Sequence, residues 1–296
     1  MKSSTLANRD GVVRLAGMTS APQVVLITGC STGIGRATAQ RLARAGHTVY
    51  ATARQESAVA DLPGCRPLQL DVTDEASMAA AVAHVEAEHG VVGVLVNNAG
   101  YSQSGALETV GMDALRRQFE TNVFGLVRMC QLVLPAMRER GTGRIVNLSS
   151  MGANFTFPGG GAYHATKYAV EALSDALRFE VRGFGVGVTI VQPGLIRTEF
   201  SATAAGEIGD RSGPYGEFNA AVATSTEEVY TRGPLARLGG TPDDVAKAIE
   251  KVIAADRAPI RVRVTPSARL LIGARRVLPD AVWDRFLAGQ FPTPGT

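Results

Sequence analysis

The chain is short of the residues on which several kinds of function depend. Among 296 residues it has three cysteines, four histidines and one tryptophan; charged residues make up 19% and the net charge is +3. Cys30, Cys65 and Cys130 show no metal-ligand spacing, and their odd number argues against a disulfide framework, which fits a reducing cytoplasm. His47, His84, His89 and His164 supply no pair at zinc-ligand spacing with a third partner nearby, so no metal is expected. A charge this small, with dispersed arginines, gives no electrostatic footprint for nucleic acid. The densest basic stretch runs from Arg257 to Arg276, where six arginines accompany "LLIG" and "VL". It reads first as a solvated face, and second as a membrane-surface or oligomer contact. No run has the length and apolarity of a transmembrane span, and residues 1–20, "MKSSTLANRDGVVRLAGMTS", lack the apolar core of a signal peptide. They are expected to be a mobile leader, with Met18 a candidate second start.

What the chain does have is a regular alternation. Hydrophobic residues make up 45%, ordinary for a globular protein. The runs "VVLIT", "TVYATA", "PLQLDV", "GVLVNN", "RIVNLSS" and "VGVTIVQP" have strand length, are rich in Val, Ile and Leu, and lack strict alternation, as strands buried on both faces do. Helix-like segments separate them: Ile34 to Ala45, Asp74 to His89, Asp113 to Arg140 and Ala162 to Arg182, with Asp74 and Asp113 where N-caps would stand. This order predicts an α/β fold, a doubly wound parallel sheet of Rossmann type with helices on both faces. With no repeat or low-complexity linker, residues 21–296 read as a single domain. After Pro193 the pattern loosens, and about 195–238 reads as a lid over the substrate. It resumes with a helix at Pro242 to Ala255 and a last strand at Ile260 to Val264.

The first strand runs straight into "TGCSTGIGRATAQRLARAG", with Gly29, Gly33 and Gly35 at the turn into a helix. Glycines at such a turn let backbone approach a pyrophosphate, and the helix N-terminus offers free N–H groups and a positive dipole end. A glycine trio alone is a weak signal, but its place between a buried strand and an amphipathic helix meets the structural condition for a dinucleotide site. Further on, "GAYHATKYAV" sets Tyr163 and Lys167 four residues apart, on one face of a predicted helix. An ammonium beside a phenol favours the phenolate and lowers the tyrosine pKa. Taken alone, such a pair is more often packing with a snorkelling lysine.

The order of these motifs resembles the short-chain dehydrogenase/reductase family. The T-G-x-x-x-G-x-G turn is followed by "NNAG" at Asn97 to Gly100, "TNVFG" at Thr121 to Gly125 and "NLSS" at Asn147 to Ser150. Tyr163 and Lys167 fit the Y-x-x-x-K motif, Ser150 stands thirteen residues before the tyrosine, and "QPGLIRT" follows the sixth strand. The resemblance implies a hydride-transfer site. Tyr163 is the general acid/base and Lys167 holds the phenolate and the nicotinamide ribose. Ser150 orients the substrate oxygen, and Asn122 anchors a water in a relay to solvent. Family spacing selects Ser150 over Ser149, and His164 reads as an inert neighbour more readily than as a group that tunes the pocket. The implied cofactor contacts are Gly29, Ser31, Thr32, Gly33, Ile34 and Gly35 at the turn, and Arg54, Asp71 and Val72 beyond the second and third strands. Asn98, Ala99 and Gly100 follow the fourth strand; Pro193, Gly194, Ile196 and Thr198 lie after the sixth, with Tyr163 and Lys167 between. Asp71 would meet the adenine amino group, with helix capping as the alternative.

NAD-dependent members carry an acid at the end of the second strand for the adenosine ribose. Here Ala53 stands in its place, followed by Arg54, whose guanidinium suits a 2′-phosphate, so NADP(H) is the expected cofactor. Substrate contacts are expected from 101–105, 151–157 and the lid with Phe200, Tyr215, Phe218 and Tyr230, a mixture suited to a bulky, partly apolar ketone or alcohol. "TGCSTGIG", "VYATAR" and "VNNAGYSQSG" resemble the hydroxysteroid and retinol dehydrogenase branch. The alternatives are an NADP(H)-sensing regulator without turnover and a nucleotide-sugar epimerase or dehydratase of the same fold. Their weaknesses are an intact Ser–Tyr–Lys set in the first and a different glycine spacing in the second. A homodimer or homotetramer is expected, because Asp113 to Arg140 and Ala162 to Arg182 resemble the helices through which family members pair.

Overall fold

A computed structural model describes residues 21–198, 213–230 and 232–295. The leader and Phe200 lie outside the described residues. Seven strands form one parallel sheet in the order β3-β2-β1-β4-β5-β6-β7. They are β1 (Val24–Ile27), β2 (Thr48–Ala53), β3 (Cys65–Gln69), β4 (Val94–Asn97), β5 (Gly143–Leu148), β6 (Val186–Gln192) and β7 (Arg261–Arg263). The chain winds outward from β1 to β3, then crosses back to place β4 on the other side of β1. That reversal opens a crevice at the carboxyl ends of β1 and β4.

One face of the sheet is covered by α2 (Glu75–His89), α4 (Gly125–Arg140) and α5 (Gly161–Val181), whose Val82, Val85, Met129, Val133 and Val170 bury against Leu26, Leu95 and Ile145. The other is covered by α1 (Gly33–Arg44) and the helix Pro242–Ala254, which join Val25, Ile27, Val49 and Val96 in a second core. Arg41 ties these two helices together through Asp243 and Glu250. A third apolar cluster stands over the carboxyl end of the sheet. There Met151, Phe155 and Leu195 pack against Leu271, Ile272 and Trp283 from the helices Pro266–Val277 and Asp280–Ala288.

Two expectations need correction. Asp113 is not an N-cap: α3 runs Met112–Phe119 behind Gly111, and Asp113 sits in its first turn paired with Arg116. Nor is Asp113 to Arg140 one regular helix, because a π turn at Glu120–Phe124 separates α3 from α4. Helical periodicity hides such a turn; just after it, Gly125 packs closely on Val72, where a methyl group would lie 2.3 Å from the carbonyl oxygen. Of the basic stretch, Arg261 pairs with Glu171 and Asp175, and Arg275 pairs with Asp280. Arg269 and Arg276 are exposed.

Asp74 caps α2 as expected, its carboxylate accepting from the N–H groups of Ala76 at 2.9 Å and Ser77 at 3.3 Å. Replacing Asp74 by Ala removes that acceptor and should lower the free energy of unfolding by about 1 kcal/mol. Chemical denaturation would measure this, and an unchanged midpoint would show that water caps the helix equally well.

Candidate active site

At the crevice the chain is held without spare room. Gly29 and Gly33 have φ of 71° and 56°, in the left-handed region that disfavours other residues. A methyl group on Gly35 would lie 2.2 Å from the Gly29 carbonyl oxygen and 2.5 Å from the Asn98 amide nitrogen. The Asn98 side chain donates to the carbonyls of Thr28 and Gly29, while the Thr28 hydroxyl accepts from the Asn98 and Ala99 N–H groups. The glycine turn is thereby bolted to the end of β4, with the N-terminus of α1 facing the crevice. Ala53 ends β2 and Arg54 follows it, exposed at the rim. Asp71 does not cap α2: its carboxylate is engaged by the N–H and hydroxyl of Thr73.

A cleft of 1880 Å³ runs from this turn to the apolar cluster at the C-terminal helices. It is lined by every expected cofactor residue except Gly35, which packs behind the turn, and by Ser150, Tyr163 and Lys167. Asn122 is the expected site residue set further back. It lies on the π turn, 1% exposed, with its side-chain oxygen accepting from Tyr101 N–H at 3.0 Å and its amide donating to the Tyr101 carbonyl and the Thr166 hydroxyl. The side chain thus clamps the Tyr101 backbone to α5. A methyl group on Gly100 would lie 3.0 Å from the Asn122 oxygen and 3.7 Å from Lys167 Nζ, so both groups converge on one bare stretch of backbone.

Tyr163 and Lys167 share the face of α5 that meets β5. Ser150, at the end of β5, accepts a hydrogen bond from Gly152 N–H at 3.1 Å and makes another with the Tyr163 hydroxyl. Lys167 Nζ donates to the Leu148 carbonyl at 2.8 Å and stands 5.8 Å from the centre of the Tyr163 ring. The expected lowering of the tyrosine pKa by this lysine does not hold. Burial raises the phenol above its ordinary range, Ser150 opposes this and Tyr230 adds to it. Burial likewise pulls Lys167 down to about 8, with Glu171 acting against it. Desolvation penalises both charged forms and is the largest cause of each shift. Ser149 is also buried at the strand end, and its hydroxyl has no hydrogen-bond partner among the described residues.

Sequence reasoning missed the C-terminal wall of the cleft. Leu270, Leu271, Leu278, Val282, Trp283 and Phe286 all line it. The apolar spacing on the two helices was a readable signal, but nothing local tells which cavity such a face covers. Of the described residues between 195 and 238, Leu195, Ile196, Val222, Val229 and Tyr230 are among those that line the cleft; Leu195 and Ile196 are otherwise buried, and Ile196 bridges to Gly240. His47, His84 and His89 lie away from the cleft and His164 lines it; among the described residues no cluster could hold a metal, and Cys30, Cys65 and Cys130 are free.

A doubly wound sheet whose glycine turn and Ser–Tyr–Lys set open into one cleft defines a dinucleotide-linked class of enzyme. The family model for short chain dehydrogenase matches residues 23–207, and the chain belongs to that family as an oxidoreductase. It is 38% identical over 260 residues to a 3-ketodihydrosphingosine reductase of Bacteroides thetaiotaomicron, covering 88% of this chain and 94% of the relative. It is 33% identical to retinol dehydrogenase 8 of Bos taurus, covering 89% and 88%. A short-chain dehydrogenase structure from Streptomyces avermitilis superposes with a TM-score of 0.76 at 36% identity, covering 91% of this chain and 99% of that one. The closed form of serine dehydrogenase complexed with NADP+ superposes at 0.69 and 30% identity, covering 82% and 94%.

The buried lysine predicts a pH-dependent stability. A lysine in the unfolded chain titrates near 10.4, and Lys167 titrates at about 8. Between these values the unfolded chain holds a proton that the folded chain has released, so this contribution favours the fold increasingly as pH rises; below them the full penalty of burying the charge applies. Relative to Lys167→Met, the unsubstituted protein should therefore gain Tm between about pH 7 and pH 10. A difference in Tm that does not change with pH would mean that the ammonium is not desolvated.

Proposed function

We propose that the protein interconverts a ketone or aldehyde and an alcohol with NADP(H), on a bulky and partly apolar substrate. The observation that carries this reading is the convergence of Ser150, Tyr163 and Lys167 on the cleft that the glycine turn enters. The turn fits a dinucleotide, because the backbone at Gly29, Gly33 and Gly35 leaves no side chain between a pyrophosphate and the N-terminus of α1. Arg54 and the absence of an acid at Ala53 favour a 2′-phosphate, and Asp71, Asn98 to Gly100 and the loop Pro193 to Thr198 line the rest of its path. Bound there, the nicotinamide supplies or accepts the hydride.

The chain's own residues handle the proton. Tyr163, held neutral by burial, donates its hydroxyl proton to the carbonyl oxygen and recovers it from the alcohol in reverse. Ser150 hydrogen-bonds the same oxygen. Lys167, fixed by the Leu148 carbonyl, offsets the negative charge that develops on the tyrosine. Asn122 holds the backbone of Tyr101 beside them and, in this reading, the water that reconnects Lys167 to solvent. General acid catalysis of this kind contributes ~10²–10⁴-fold. The apolar far end of the cleft, lined by Val222, Val229, Leu271 and Trp283, fits a long hydrocarbon body. Two relatives are named for 3-ketodihydrosphingosine and for retinol, both with long apolar chains. Exposed Phe124 at the π turn and Phe179 on α5 support pairing as a homodimer or homotetramer.

Tyr163→Phe should abolish turnover of a ketone panel with NADPH while leaving NADPH binding measurable by fluorescence; retained turnover would remove Tyr163 from the acid/base role. Arg54→Ala should raise KM for NADPH by about 10- to 100-fold, the worth of a charge-assisted hydrogen bond, and leave KM for NADH nearly unchanged. Equal effects on the two cofactors would contradict the 2′-phosphate assignment.

A further inference from the structure

His164 adjoins Tyr163 in sequence, and its side chain turns from α5 towards the turn that begins at Ser150. Its Nδ1 lies 2.6 Å from the Gly152 carbonyl oxygen. A carbonyl can only accept, so Nδ1 carries the hydrogen and donates it. Glycines clear both sides of the imidazole: a methyl group on Gly152 would lie 2.5 Å from Nδ1, and one on Gly160 would lie 2.7 Å from Nε2. The ring is 8% exposed and meets Tyr163 and Phe157 edge to face, with centres 5.7 and 6.1 Å apart. Burial holds its pKa below the ordinary value, which keeps it neutral at pH 7.

Gly152 is therefore pinned at both ends. Its carbonyl is taken by His164 on the helix that carries Tyr163, and its N–H occupies a lone pair of the Ser150 hydroxyl at 3.1 Å. With that lone pair taken, the rotation of the Ser150 hydroxyl is restricted and its own hydrogen is left for the tyrosine or substrate oxygen. We propose that His164 is a positioning residue for proton transfer. Through Gly152 it sets where the Ser150 hydroxyl stands relative to that of Tyr163, and so determines how well both address one substrate oxygen. This rests on the roles given to Ser150 and Tyr163 above.

The test compares three variants by steady-state kinetics with NADPH and a ketone that the unsubstituted protein reduces. His164→Phe keeps a flat ring but has no donor; kcat should fall by about 10- to 100-fold, the range a buried unsatisfied acceptor can cost, with KM for NADPH unchanged. His164→Asn places an N–H where Nδ1 stands and should restore kcat to within about threefold. His164→Gln carries its amide one carbon further and should be as slow as Phe, so the Asn–Gln comparison serves if the Phe variant does not fold. A purely structural role would lower Tm without moving kcat. Wild-type kcat in His164→Phe, or Asn no faster than Gln, would overturn the proposal. Tyr163→Phe in the same assay separates this from failure of the functional reading: if that variant also turns over normally, the acid/base assignment is wrong, not only the role of His164.

Discussion

The active cleft depends on a contact that leaves no room for a side chain. Gly35, in the first turn of α1, stands so close to the Gly29 carbonyl and the Asn98 amide that even a methyl group would overlap both. The three strands nearest the crevice are fixed relative to one another from there. The Thr28 hydroxyl holds the backbone after β4, Asn98 holds the turn after β1, and buried Asn97 donates to Asn147 in β5. Asn147 in turn donates to Ser174 on α5, so the polar chain reaches the helix that carries Tyr163 and Lys167. Buried polar groups are costly unless hydrogen-bonded, so a chain of such bonds favours one arrangement of the elements that bear it, although the Asn97 side-chain oxygen itself has no partner among the described residues. The glycine turn and the helix that bears Tyr163 and Lys167 are thus linked through the sheet.

Burial governs the electrostatics that result. At the surface, a tyrosine and a lysine one helical turn apart would titrate near their ordinary values, with the attraction between phenolate and ammonium the main perturbation. Buried in the fold, both are pushed by desolvation towards their neutral forms. A phenol that stays protonated at neutral pH is suited to donating in the reductive direction. An ammonium pulled down to about 8 still carries its charge at neutral pH, and an anion nearby favours that charged form further. The same desolvation pushes the Cys30 and Cys130 thiols up to about 12, which makes them inert packing groups.

Much of this was legible in sequence because the signals are local and periodic. Strand-length apolar runs separated by helical segments marked all seven strands, the last within Ile260 to Val264, and the glycine turn, "NNAG", "NLSS" and Y-x-x-x-K each stand at a strand end or on a helix. Asp74 was readable as a cap, since capping depends on a few neighbouring N–H groups. Asp113 differs from the expectation because an acid at the start of a helical stretch looks alike in sequence as a cap or as a first-turn residue. The π turn at Glu120–Phe124 was not readable, because one extra residue in a helical turn barely alters the hydrophobic period.

The sequence by itself determined the order of the elements, the doubly wound class and the residue types that meet at the cleft, because each follows from periodicity, turn chemistry or spacing along a single element. Only the tertiary structure decided which residues stand next to which across elements. It set His164 against Gly152, Asn122 against Tyr101 and Thr166, and the helices after Pro266 at the apolar end of the cleft. It also reversed the expected shift of Tyr163, since a pKa depends on how much water is removed around the group, and no sequence neighbour reports that.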